Sequence, residues 1–191
     1  GKSSLLNALF GEDFCKSDVV PTTERIAFFK YGEEAHEFDF SKDIFEIFRP
    51  NAFLRDFNIV DTPGTNSIES EHQHVTEQFL PMADLALFVF SVTNPWGAST
   101  WDFLDRIHHQ WKKKIVFILQ QCDLRTEEEV AAILEHLQKT AHHRFGQHFP
   151  TFAVSAKQAY LAKTSESGND ELSAASPVSY THLTLPTTVF V

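Results

Sequence analysis

The sequence predicts an α/β fold in which a mostly parallel sheet is covered by helices on both faces. Short continuous apolar runs alternate with stretches of helical period, which is the pattern of buried parallel strands joined by helical crossovers. The apolar runs at residues 85–90 and 115–119 are strand-sized and far shorter than the roughly 20 residues of a membrane-spanning helix. The 191 residues suit one domain, and 42% hydrophobic with 22% charged residues is a globular composition that excludes wholesale disorder.

The first part of the chain supplies one helix and three strands. Residues 3–10 carry apolar side chains at helical spacing, and Gly11 suits the end of that helix. Residues 26–31 and 57–60 are rich in apolar and β-branched side chains and are predicted as strands. The mixed periodicity of residues 38–48 is interpreted as a further strand.

The second part alternates helices and strands more regularly. Residues 99–111 repeat large apolar side chains every three or four positions, which indicates one buried helix face. Thr126 is a good N-cap before three glutamates, and the helix it starts is predicted to run to Phe145 and end at Gly146. The other predicted elements are a helix over residues 69–80 and strands over residues 85–90, 115–119 and 152–154.

The charge and the cysteines narrow the class of protein. A formal net charge of −10 argues against a nucleic-acid partner held by the whole surface, so a bound phosphate must meet local positive charge or backbone N–H groups. Cys15 and Cys122 are far apart and have no metal-ligand spacing, which favours a reducing cytosol over a disulfide framework.

The two ends are predicted not to be those of a natural domain. The chain begins with Gly1 inside a motif, which predicts a fragment that lacks a first strand and half of a phosphate-binding loop. Residues 176–188 have no formal charge and no helical or strand period. They resemble translated sequencing-adapter sequence, and the other interpretation is a natural disordered linker. Residues 176–191 are therefore left out of the functional argument.

Gly1-Lys2-Ser3 before an amphipathic helix is the last part of a phosphate-binding loop. Lys2 would reach the β- and γ-phosphates, and the Ser3 hydroxyl would ligate Mg²⁺. The helix N-terminus, from Gly1 to Ser4, adds backbone N–H groups and a dipole that favour the same anion. The tripeptide is common by chance, so it indicates a phosphate-binding loop only in combination with the motifs that follow.

Asp61-Thr62-Pro63-Gly64 directly follows a predicted strand. A carboxylate at a strand end can hold Mg²⁺ through water, and Gly64 would let a backbone N–H approach the γ-phosphate. The alternative interpretation is an ordinary turn with proline at its second position. In the loop before residue 26, Thr23 is the preferred additional Mg²⁺ ligand and Thr22 the second choice, against two loop threonines of no special role.

Two further motifs follow the last predicted strands and are candidates for base recognition. Gln120-Gln121-Cys122-Asp123 follows one strand, and Ser155-Ala156-Lys157 follows the next. The Asp123 carboxylate can accept from both N1–H and N2–H of guanine, a pair of donors that adenine does not offer. A backbone N–H near Ala156 can then donate to guanine O6.

These motifs, in this order, resemble the G domains of the dynamin superfamily of P-loop GTPases, and most closely the bacterial dynamin-like proteins. The similarity extends from Gly1 to about Lys157, and the stretch over residues 59–67 with residues 79–85 is its most specific part. The resemblance implies residues 1–160 as a truncated GTPase domain and 161–175 as a linker or the start of a lost helical region. The likeness to adapter sequence predicts residues 176–191 as a non-native tail.

The resemblance also implies the activity and partners of the protein. It implies a Mg²⁺-dependent GTPase that remodels or tethers membranes, in which Lys2, Thr23 and Gly64 act at the γ-phosphate and a monovalent cation, K⁺ or Na⁺, assists. It implies a GTP/GDP cycle, a nucleotide-dependent homodimer through the G domain, and lipid contact through regions outside this sequence. It implies a cytoplasmic protein held peripherally at the inner face of the membrane, without a nucleic-acid partner.

The pair Gln120-Gln121 departs from the family pattern, which has Asn or Thr followed by Lys. Guanine preference then depends on Asp123 with Ser155, Ala156 and Lys157, while Gln120 offers an amide from a longer arm. Two alternatives stay open: a ribosome- or tRNA-associated GTPase of the Era or TrmE kind, and a nucleotide-binding dimerisation module without hydrolysis. The 191-residue fragment itself is predicted to bind nucleotide weakly or not at all and to be inactive.

Overall fold

The computed structural model of the chain describes residues 1–13, 25–62, 83–111, 115–165 and 188–190. Its helices are α1 (Lys2–Phe10), α2 (Phe53–Asp56), α3 (Ala98–Trp111), α4 (Glu127–Phe145) and α5 (Ala156–Ser165). Its strands are β1 (Ile26–Tyr31), β2 (His36–Asp39), β3 (Ile44–Arg49), β4 (Asn58–Asp61), β5 (Leu85–Ser91), β6 (Ile115–Gln120), β7 (Thr151–Val154) and β8 (Thr188–Phe190). A single 3₁₀ turn at Cys122–Leu124 follows β6.

The chain divides into two compact units, and β5 and β6 contribute residues to both. The described part of the first unit comprises residues 1–13, 89–95 and 117–165. The described part of the second unit comprises residues 25–62, 83–88, 96–111, 115–116 and 188–190.

The second unit is built on a mixed sheet. Its strands lie in the order β2-β3-β1-β4-β8-β5. β1 runs parallel to β3 and antiparallel to β4, where Ala27 pairs with Asp61. Phe29, Ile47 and Ile59 are almost completely buried. Val60, the next residue of β4, is buried as well, so β4 is covered on both of its faces.

Strand β8 was not predicted, because residues 176–188 show no strand period in the sequence. Its backbone pairs in parallel with β4 and with β5, with Val189 opposite both Ile59 and Leu85. The sequence around Val189 and Phe190 is β-branched and aromatic, which suits a strand between two partners. The charge-free stretch before it gave no such signal.

In the first unit the strands lie in the order β5-β6-β7. β6 and β7 are parallel, with Leu119 opposite Ala153 and Gln120 opposite Val154. The ring of Phe117 on β6 stacks on that of Phe149 at a centroid distance of 4.8 Å. Because parallel neighbours end at the same edge, the loops after β6 and β7 emerge side by side.

Helix α1 is short, and its C-terminal end is well defined. Leu5, Leu6, Ala8 and Phe10 are its buried residues. Gly11 has a left-handed conformation (φ 72°), and its N–H donates to the Asn7 carbonyl at 2.8 Å. The Lys163 ammonium of α5 donates to the Leu9 carbonyl at 2.9 Å, so α5 holds this end of α1.

Helix α4 has its N-terminus closed by a capping box. The Thr126 side chain accepts from the Glu129 N–H at 3.3 Å, and the Glu129 carboxylate accepts from the Thr126 N–H at 3.0 Å. Hydrogen bonds from its own backbone N–H and from Thr126 lower the pKa of Glu128. The predicted helix from Thr126 to Gly146 is confirmed at both ends.

Several other predicted elements are confirmed, and one is wrong. β1, β4, β5, α3, β6 and β7 lie within one or two residues of their predicted bounds. The single strand predicted over residues 38–48 is instead two strands, β2 and β3, because the polar residues 41–43 turn the chain back and the Ser41 N–H donates to the Ile44 carbonyl at 2.9 Å. The helix predicted over residues 69–80 lies outside the described residues. Among the described helices, none has the length and apolar character needed to cross a bilayer.

Candidate functional site: a base-sized pocket beside helix α1

Gln120, at the end of β6, connects the two loops that follow β6 and β7. Its side chain is 2% exposed. Its Oε1 accepts from the Gln121 N–H at 2.6 Å and from the Ala156 N–H at 3.0 Å. Its own carbonyl accepts from the Val92 N–H at 2.9 Å. This residue therefore ties the first turn of α5 to the loop that carries Asp123.

Asp123 and Ser155 are 32 residues apart in sequence and are directly bonded in the structure. The Ser155 hydroxyl donates to Asp123 Oδ1 at 2.6 Å. The same hydroxyl accepts from the Gln158 N–H at 3.2 Å, which makes Ser155 the N-cap of α5. Ser155 is buried while Asp123 is exposed, so a helix cap fixes a carboxylate that is open to a ligand.

Gln121 has a left-handed backbone (φ 71°), which is uncommon for a residue with a long side chain. Its Oε1 accepts from the Ser91 hydroxyl at 2.5 Å, and Ser91 also bonds the Thr93 hydroxyl at 2.7 Å. The end of β5 thus holds the Gln121 amide in place. Next to it, burial raises the pKa of the Cys122 thiol, which donates to the Leu119 carbonyl.

These loops and the outer face of α1 enclose a cavity of about 410 Å³. That volume is within the usual range of small-molecule sites. The lining residues come from α1 and its following loop, from the end of β6, and from the start of α5: Ser4, Asn7, Asp13, Gln120, Gln121, Asp123, Leu124, Ala156, Lys157 and Tyr160. Side-chain amides and two carboxylates, those of Asp13 and Asp123, therefore line a single cavity in the first unit.

The N-terminus of α1 lies at this cavity, since Ser4 is part of the wall. Among the described residues, no side chain caps this helix, and its first turn contains no acidic residue. Lys2 and Ser3 belong to the same turn, with Ser3 exposed and Lys2 half-buried. A helix start with this composition has the charge and the N–H groups that suit a phosphate.

The residues predicted for base recognition, together with Ser4 of α1, come together in the first unit. Ser4, Gln120, Asp123, Ala156 and Lys157 line one cavity, and Ser155 is bonded to Asp123. The Ala156 N–H, one of the backbone groups near the position predicted to meet guanine O6, donates to Gln120 Oε1.

Asp61 ends β4 in the second unit and is 3% exposed, whereas Ser3 lies in the first unit. Thr23 and Gly64 lie outside the described residues. Each of these two residues carries an oxygen donor of the kind that Mg²⁺ prefers. Within the described ranges, no three His, Cys, Asp or Glu side chains gather as a metal site.

Sequence reasoning missed several members of the pocket wall. Asn7, Asp13, Leu124 and Tyr160 line the cavity but belong to no motif. Helical spacing could have identified two of them, because Asn7 lies one turn beyond Ser3 and Tyr160 one turn beyond Ala156. The anchoring of Gln121 by Ser91 had no sequence signal.

Comparison with known proteins finds similarity to one family over part of the chain. Residues 39–122 match the model of the dynamin family. The chain is 40% identical over 187 residues to a probable chloroplastic transmembrane GTPase, FZO-like, of Arabidopsis thaliana, covering 93% of this chain and 20% of the relative. It is 25% identical over 194 residues to dynamin-like protein 2 of Campylobacter jejuni, covering 88% of this chain and 31% of that protein.

The structure of an oligomerised bacterial dynamin pair, described as sensing and tethering membranes over long range, has the same fold. The TM-score is 0.72 at 19% identity, and the match covers 88% of this chain and 34% of that one. The chain therefore has the α/β fold of a GTPase G domain, and it spans about a third or less of the length of these three matched proteins.

Proposed function

We propose that the protein is a member of the dynamin superfamily that binds GTP and hydrolyses it to GDP and phosphate, on the basis of its similarity to the dynamin family model and to the plant FZO-like GTPase. The observation that carries the proposal is the Asp123 carboxylate, which the Ser155 hydroxyl holds at 2.6 Å in the wall of the cavity beside α1. A fixed, exposed carboxylate next to an uncapped helix start suits a ligand with N–H donors at one end and phosphates at the other.

Recognition of the base follows from the chemistry of Asp123. Its oxygens accept from N1–H and N2–H of guanine, whereas adenine presents an acceptor at N1 and no amine at C2. Ser155 occupies one lone pair of Oδ1 and restricts rotation of the carboxylate. This pre-organisation reduces the entropy lost when the base binds.

Recognition of the phosphates uses the first turn of α1. Lys2 supplies a positive charge, and the N–H groups of residues 1–4 supply donors for the β- and γ-phosphates. We extend the proposal to Ser3, Thr23 and Asp61 as the residues that hold Mg²⁺, with Asp61 acting through water, and to Gly64 as a backbone donor to the γ-phosphate. Bound Mg²⁺ would neutralise charge on the β- and γ-phosphate oxygens.

The cellular role is proposed from family membership. The proposal comprises membrane remodelling or tethering, a nucleotide-dependent homodimer through the G domain, and lipid contact outside residues 1–160. It also includes a monovalent cation, K⁺ or Na⁺, and a cytoplasmic protein at the inner face of the membrane. The net charge of −10 opposes a nucleic-acid partner. We propose residues 161–175 as a linker or the start of a helical region and 176–191 as a non-native tail.

Phosphate release by the full-length protein tests the proposal. Lys2→Ala removes a charge that stabilises the transferred phosphoryl group, and we expect GTP turnover to fall by about 100-fold. Lys139→Ala is the matched control, because Lys139 is exposed on α4 and pairs with Glu135. Equal turnover by the Lys2→Ala variant and the wild type would remove Lys2 from the mechanism.

A second candidate function is a nucleotide-binding dimerisation module without hydrolysis. The altered Gln120-Gln121 pair favours it, because both amide oxygens accept hydrogen bonds from other groups of the protein. Tight GTP binding with no phosphate release at physiological K⁺ would select this module over the GTPase.

A further inference from the structure

Gln120 accepts a hydrogen bond from a backbone N–H that could otherwise bind a guanine base. Guanine presents a carbonyl oxygen at C6 and donors at N1 and N2. In this pocket Asp123 matches the donors, and the Ala156 N–H is the group suited to O6. That N–H already donates to Gln120 Oε1 at 3.0 Å, so the pocket's donor for O6 is engaged by the protein itself.

The position of Gln120 is held from several sides. Its carbonyl accepts from Val92, its Oε1 also accepts from Gln121, and its side chain is almost completely buried. Gln120 pairs with Val154 of β7, and Val154 directly precedes Ser155 and Ala156 in the chain. Release of the Ala156 N–H would require side-chain rotation that also gives up the Gln121 bond.

We propose that Gln120 is a specificity-determining residue whose amide oxygen takes the place of guanine O6 at the Ala156 N–H. The pocket then selects guanine through Asp123 and gains nothing from O6. The inference rests on the proposed binding of guanine nucleotides and concerns which edge of the base is read.

The length of the side chain is the basis of the test. Gln120→Asn keeps the amide and removes one methylene, which withdraws the oxygen by about 1.5 Å, close to one C–C bond. The Ala156 N–H is then available to O6. Gln138→Asn makes the same chemical change at an exposed position of α4 and serves as the matched control.

The experiment compares GTP with 6-thio-GTP in the full-length protein by isothermal titration calorimetry. The 6-thio analogue keeps N1–H and N2–H but replaces O6 by sulfur, a weak acceptor. We expect the wild type and Gln138→Asn to bind the two nucleotides within about twofold of each other. We expect Gln120→Asn to bind GTP about fivefold more tightly than 6-thio-GTP, the gain of one neutral hydrogen bond.

A wild type that prefers GTP over 6-thio-GTP by fivefold or more would overturn the inference while leaving GTP binding intact. That comparison needs no variant, so it decides the matter even if Gln120→Asn does not fold. Gln120→Asn that folds but shows no preference for GTP would also overturn it. A wild type that binds neither nucleotide would overturn both the inference and the proposed function.

Discussion

The N-termini of helices α1 and α4 have the same backbone polarity and opposite surroundings. At α4, Thr126 and Glu129 satisfy each other's backbone N–H groups, and residues 127–129 are all glutamates. At α1, the described residues provide no side-chain cap, and the first turn carries Lys2, Ser3 and Ser4 in place of acids. α4 thus compensates its dipole with its own carboxylates, whereas α1 has no acidic residue in its first turn.

The difference shows that a helix N-terminus can either stabilise the fold or be available to bind a ligand. A capping box stabilises the fold and leaves few donors for an anion. A helix start without a cap gives up that stability, and a phosphate can supply the missing acceptors. The position of Ser4 in the wall of the cavity that Asp123 also lines ties the second arrangement to the proposed nucleotide.

Ser4→Glu removes the difference between the two helix N-termini, because it gives the first turn of α1 an acidic residue like those of α4. The added carboxylate competes for the helix N–H groups and repels the triphosphate, so we expect GTP affinity to fall about tenfold. Titration calorimetry on the full-length protein measures this, with Ser4→Gln as the uncharged control of similar size. Equal affinities for the Glu and Gln variants would show that no phosphate approaches this turn.

Thr126→Ala removes the N-cap of α4, and we expect its effect on the protein to be smaller than that of Ser4→Glu. Loss of the N-cap should destabilise the protein by about 1 kcal/mol and lower its melting temperature by a few degrees. GTP affinity should stay at the wild-type value, because α4 belongs to neither the base nor the phosphate site. Thr126→Ser, which keeps the hydroxyl, should melt like the wild type. A changed GTP affinity with an unchanged melting temperature would reverse the roles assigned to the two helices.

The sequence predicts an element well where the spacing of its apolar residues matches their burial in the structure. Residues 26–31 form β1 as expected, and Gly11 and Gly146 end their helices in the left-handed conformation. The hairpin of β2 and β3 was missed because Phe38 and Phe40 are more than half exposed, so their apolar character does not report burial. β8 was missed because its neighbours in the sheet, rather than its flanking sequence, determine it.

The sequence predicts which residues follow β6 and β7 at one sheet edge, but it does not predict their hydrogen-bond partners. Parallel strands place Asp123 and Ser155 at one sheet edge, which the sequence order already implied. The same pattern cannot tell where an amide oxygen points, so the bond from Ala156 to Gln120 emerged only from the structure. Long-range contacts such as Lys163 with the Leu9 carbonyl have no local signal either.

Asp123→Asn tests the account of the pocket most directly, because an amide reverses the hydrogen bonding that guanine needs. The amide oxygen can still accept from Ser155, while the NH₂ group faces N1–H and N2–H as a donor. Xanthine carries an oxygen at C2 and accepts from that NH₂ group. In titrations of the full-length protein we predict a loss of GTP affinity of about 100-fold and a matching preference for XTP. Wild-type GTP affinity in Asp123→Asn would contradict guanine recognition at this pocket.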